Sequence, residues 1–75
     1  MNPLYEKKFG NNIRNLRISQ EMTQEQLSSK LQLHGCDITR SALAKIEVGQ
    51  RHLYPDEIKQ LKTILNVSYD ELFID

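Results

Sequence analysis

Arg40, Ser41 and Lys45 are the side chains of this sequence best placed to do chemistry on a partner. They lie in Thr39-Arg40-Ser41-Ala42-Leu43-Ala44-Lys45-Ile46-Glu47, with Leu43 and Ile46 at helical offsets on the opposite side. One face is therefore apolar and suited to a core, and the other is charged. An arginine fork can donate to O6 and N7 of guanine, and a good bidentate contact is worth roughly 1–3 kcal/mol of discrimination. Ser41 can reach a base or a phosphate, and the methyl group of Ala42 suits a thymine methyl. Small residues at Ala42 and Ala44 keep the surface low enough for close approach to a duplex. The plain alternative is that Arg40 and Lys45 form a solvated helix face.

Other chemistries find little support. His34, Cys36, Asp37 and His52 have neither the helical His pair nor the paired-Cys spacing of a metal site. No nucleophile-base pair, phosphate-cradling loop or paired-carboxylate arrangement is visible, so neither an enzyme nor a cofactor or small-molecule ligand is expected. A single cysteine cannot form an internal disulfide, which points to a cytoplasmic protein. Met1-Asn2-Pro3 leads into no apolar run of signal-peptide length, and no segment is long and apolar enough to span a membrane.

The elements that position these residues are helical throughout. No stretch alternates with period two over the length of a strand. Tyr5, Phe9, Ile13 and Leu16 mark a first helix, in which Gly10 costs about 1 kcal/mol relative to Ala unless packing offsets it. Thr23 and Gln26 form a capping box at the start of a second helix, with Met22 and Leu27 as its hydrophobic staple. Leu27 and Leu31 point to the core. Gly35 is expected at positive φ in the linker that follows. Thr39 opens the third helix, with Ile38 and Leu43 as staple, and Gly49 closes it. Pro55 starts a fourth helix with the stripe Ile58, Leu61 and Leu65, and Asp56 and Glu57 in its first turn suit the helix dipole. Ser68 and Glu71 box the start of a fifth, stapled by Val67 and Leu72, before an irregular tail at Ile74-Asp75. Seventy-five residues with 39% hydrophobic content make one domain, residues 1–75, with a modest core. The second and third helices, about residues 23–47, form a helix-turn-helix whose second helix can enter a major groove.

Ten basic and ten acidic residues give zero formal net charge, which by itself argues against strong nonspecific DNA binding. The distribution is uneven: +3 over residues 1–17, −2 over 18–29, +2 over 30–52 and −3 over 53–75. Such a layout suits DNA on one side and protein or solvent on the other, although swings of this size also occur in ordinary short segments.

Four sequence words carry a resemblance. Ile13-Arg14-Asn15-Leu16-Arg17, Met22-Thr23-Gln24-Glu25-Gln26-Leu27, Lys45-Ile46-Glu47-Val48-Gly49-Gln50-Arg51 and Leu65-Asn66-Val67-Ser68-Tyr69-Asp70-Glu71-Leu72-Phe73 occur in order. Over about residues 9–73 the chain resembles the Cro and phage-repressor type of helix-turn-helix domain, the XRE family. The resemblance implies an all-α, five-helix, lambda-repressor-like fold and regulation of transcription, often by a dimer on a palindromic operator. It places Arg40 and Ser41 on base-reading positions, with Lys45 and Ala42 beside them. Thr23 and Gln24 fall where relatives hold a phosphate, and Gln50, Arg51 and His52 fall in a loop used for the same purpose. Arg17 and Glu47 match an ion pair, with Arg17 also facing a phosphate. Lys7, Lys8 and Arg14 read as solvated.

Two departures stand out. The linker Gln32 to Asp37 is about five residues longer than the family turn, so the second helix is lengthened or a bulge forms beside it. Tyr54 stands where relatives often carry Ser or Thr as the cap of the fourth helix. Tyr69, Phe73 and Ile74 are candidates for a homodimer contact, formed at least on DNA, while Leu72 and Phe73 also suit the core. Two functions remain: a small repressor of sequence-specific double-stranded DNA recognition, and a protein-interaction module or antitoxin-like accessory subunit on the same scaffold.

Overall fold

A computed structural model describes residues 2–73. Five helices follow in order: α1 (Pro3–Ser19), α2 (Gln24–Leu33), α3 (Arg40–Glu47), α4 (Pro55–Leu65) and α5 (Tyr69–Leu72). The fold is all-helical and lambda-repressor-like, and Ile13, Leu27, Leu31, Ile38, Leu43, Leu61, Leu65 and Leu72 are fully buried at its centre.

Helix starts follow the side chains that can satisfy free N–H groups. The Oδ1 of Asn2 accepts from the N–H of Leu4 and Tyr5 at 2.9 and 3.3 Å, with Pro3 at the first helical position. Thr23 and Gln26 close the box on α2 at 3.1 and 2.8 Å, and Ser68 and Glu71 do so on α5. Thr39 caps α3 through the N–H of Ala42. Tyr54 offers no side-chain acceptor to α4, but Glu57 reaches back to its N–H at 3.0 Å, so half of a box survives the departure from the family pattern.

Four helix ends use a left-handed residue. Glu21, Gly35, Gly49 and Asn66 all have positive φ. The N–H of Met22 donates to Arg17, that of Cys36 to Leu31, that of Gln50 to Lys45 and that of Val67 to Lys62, closing four Schellman turns. The long linker thus divides between the two readings. Gln32 and Leu33 extend α2, and residues 34–38 form a turn that drops Cys36 and Ile38 into the core.

The stripe of α1 differs from the expected one. Tyr5 is exposed, and Glu6 takes the inward position with Phe9, Gly10, Ile13 and Arg17. Gly10 is where α1 crosses α3: a Cβ there would collide with the backbone carbonyl of Ile46. Packing against α3 therefore requires the absent side chain and offsets its helix penalty. Side chains of α1 also close the far end. Gln20 donates to the carbonyl of Leu65, and Asn12 donates to those of Glu71 and Leu72. Phe73 is half-buried against Phe9, with ring centres 4.7 Å apart, whereas Tyr69 stays exposed with Lys62 5.1 Å above its ring. Ile74 lies outside the described residues.

Candidate nucleic-acid interface

α3 divides its residues cleanly. Leu43, Ile46 and Glu47 are buried, and Arg40, Ser41 and Lys45 are exposed together on the outer face. Ala42 is half-buried beside them, packed in part against the core.

Beside the start of α3 lies an open, mainly polar depression lined by Arg17, Met22, Thr23, Gln24, Glu25 and Arg40. The fold thus brings together four of the residues singled out in the sequence, from α1, from the start of α2 and from the start of α3. Beneath it, Arg17 forks onto Glu47, with Nε to Oε2 at 2.8 Å and Nη2 to Oε1 at 3.0 Å. Its Nη1 donates to the carbonyl of Met22 at 2.7 Å. Gln24 completes the group, its Nε2 donating to Oε1 of Glu47 at 3.0 Å. One buried carboxylate therefore ties three helices into a fixed angle. This bonding also defines what remains for a ligand. One of the two N–H groups of the Gln24 amide is spent internally, which leaves the other and the N-terminal N–H groups of α2 as donors for an anion at this point. Three of the five N–H groups of Arg17 are used.

A family model described as helix-turn-helix matches residues 13–72. The chain belongs to that family, the Cro/C1-type helix-turn-helix proteins. No curated protein and no solved structure matches it. As a helix-turn-helix protein it is a DNA-binding regulator, with α2 and α3 as the motif. Among the described residues no helix is long and apolar enough to cross a membrane.

The loop from α3 to α4 is less free in this helix-turn-helix protein than its composition suggests. Arg51 forks onto Glu57 at 3.1 and 3.0 Å and also donates to the carbonyl of His52. Donating to Glu57 raises the pKa of the Arg51 guanidinium, and accepting from Arg51 holds the Glu57 carboxyl below its ordinary value. Arg51, expected at a phosphate, thus already has its charge balanced by Glu57 within the chain. The ring of His52 is exposed, and its Nδ1 lies 2.8 Å from Oε2 of the largely buried Glu6. Gln50 is exposed. Gly49 seats the loop on α1, where a Cβ would meet the Cα of Lys7 at 2.8 Å. Sequence reasoning missed Glu6 and Glu57 as anchors of this loop. Glu6 lies three residues before Phe9, an offset on the apolar stripe that could have marked it.

Proposed function

We propose that the protein is a sequence-specific repressor that places residues 39–47 in the major groove of a palindromic operator as a homodimer. Arg40 and Ser41 read base edges, and Lys45 meets a base or an adjoining phosphate on the same face. The backbone N–H groups at the start of α2, with Thr23 and Gln24, hold one phosphate, aided by the dipole of a ten-residue helix. Gln50 and His52 meet the backbone on the other side, while Arg51 shapes the loop. Arg17 acts chiefly through Glu47, fixing α3 relative to α2. The protein works by binding rather than by catalysis, in the cytoplasm with the nucleoid, and an occupied operator is enough to exclude polymerase.

The observation that carries this reading is the exposed group Arg40, Ser41 and Lys45 beside the depression that Arg40 shares with Thr23 and Gln24. The test is selection from randomised duplexes at moderate salt, with wild type and Arg40→Ala in parallel. An enriched two-fold symmetric motif that relaxes at one position in the variant supports the reading, as does affinity that falls steeply as salt rises. No enrichment overturns it and leaves the protein-interaction module, whose apolar contacts need not weaken with salt.

A further inference from the structure

Asp37 has no role in holding the fold, yet the fold holds it firmly. Its neighbours Cys36 and Ile38 are 7% and 0% exposed, and Asp37 itself is exposed. The N–H of Ile38 donates to the carbonyl of Cys36 at 2.9 Å, a γ-turn centred on Asp37. Its φ is not positive, so the turn is the common inverse form. Both flanking side chains are anchored inward, so the carboxylate faces solvent. Among the described residues no cation pairs with it. It stands two residues before Thr39, the cap of the helix whose N-terminal residues meet base edges in a helix-turn-helix complex.

Elsewhere on the surface an unpaired aspartate would be unremarkable. Here, two residues before the cap of α3, a carboxylate is repelled by the phosphates of a duplex that takes α3 into its groove. In the major groove its best-matched partner is the exocyclic N4 amino group of cytosine: guanine N7 and O6 and thymine O4 only accept, and the N6 amino group of adenine lies beside the acceptor N7.

We propose that Asp37, on the lengthened turn, determines specificity by accepting a hydrogen bond from cytosine N4 at the base pair next to the one met by Arg40. This rests on the reading of α3 as the recognition helix. The carboxylate acts partly by exclusion, because guanine and thymine set acceptor atoms against it and adenine sets N7 beside its amino group, whereas cytosine offers the amino group with no neighbouring acceptor. The turn therefore widens the sequence read beyond the eight residues of α3.

The test is duplex selection followed by competition binding with the full chain, comparing wild type, Asp37→Ala, Asp37→Asn and Arg40→Ala. Wild type should prefer cytosine at one position by about fivefold or more. Asp37→Ala should lose that preference alone, keep the rest of the motif and bind non-cognate DNA more tightly. Asp37→Asn should move the preference towards adenine, whose N6 and N7 suit an amide. Arg40→Ala should relax a different position. A motif unchanged in both Asp37 variants overturns this assignment and leaves the recognition helix standing. A wild type without any motif overturns both. Thermal unfolding of the variants separates loss of a contact from loss of fold, since an exposed side chain at this turn should leave the melting temperature unchanged.

Discussion

Glu47 is the residue on which the site most depends, although it faces no partner. Its carboxylate is 3% exposed and accepts from Arg17, itself 8% exposed, and from Gln24. A buried pair of this kind contributes little net stability, because each ion loses its hydration, but removing one member strands the other. Glu47→Ala should therefore cost about 3–5 kcal/mol in urea unfolding, a large part of the stability of so small a domain. Arg17→Met combined with Glu47→Leu should recover most of that loss. The double variant should nonetheless bind DNA more weakly, because Gln24 and the angle between α2 and α3 lose their common anchor. Equal loss of stability in the single and double variants would show that packing alone accounts for the effect. The pairing of Arg17 with Glu47 could be anticipated from the family words, but the third member could not. Gln24 looks like a surface helix former in sequence, and only the crossing of the helices brings its amide to the carboxylate.

At the scale of elements, the sequence spoke clearly wherever a cap or a stripe had its own residue type. Thr23, Thr39, Pro55 and Ser68 mark four helix starts because each chemically satisfies or omits a free N–H, and each lies where expected. Positions decided by a neighbouring element were harder to read. Gly10 looks like a defect in a helix until α3 is laid against it. Replacing it with Ala would ordinarily gain about 1 kcal/mol in a helix. Here the new Cβ meets the backbone carbonyl of Ile46, which cannot rotate away as a side chain would. Gly10→Ala should instead lower stability by about 1–3 kcal/mol and weaken DNA binding, as the displaced α3 no longer presents Arg40 and Lys45 in register. A stabilised variant in thermal unfolding would contradict the close crossing. The loop after α3 hides a second such contact, since Arg51 reads as a free cation and is held by Glu57 six residues later. The folded-state pKa of Glu57 is lowered, so its contribution is full above the ordinary glutamate value, near about 4.3, and is lost as pH falls through the folded value. Glu57→Gln should remove that part of the acid sensitivity. Melting temperatures followed from neutral pH into the acid range should fall less steeply in the variant. The difference should stay under about 1 kcal/mol, because the pair keeps partial access to solvent.

For the molecule as a whole, zero net charge and a basic reading face coexist because the charges are sorted. Arg40 and Lys45 project from α3, whereas Asp56, Glu57, Asp70 and Glu71 gather on α4 and α5. With zero net charge the nonspecific term of binding is small, and affinity must come mainly from shape and base contacts. The Cα atoms of the described chain extend 29 × 22 × 21 Å, so a copy set with one of its shorter axes along the duplex stays within the 34–36 Å that separates equivalent points one helical turn apart on DNA. Two copies can therefore sit on successive major grooves of one face without overlapping. In the homodimer proposed above, Tyr69, exposed on the short α5, is the candidate for their contact; Leu72 and half-buried Phe73 are already used in closing the core. Each copy alone reads only a few base pairs, so the pair gains by effective concentration what one site lacks. Lengthening the spacer of a selected operator by half a helical turn turns the second half-site to the opposite face of the duplex. Affinity, followed by fluorescence anisotropy, should then fall by about 100-fold or more towards that of an isolated half-site. If the altered operator binds as tightly as the original, the half-sites are occupied independently and the dimer has no part in recognition.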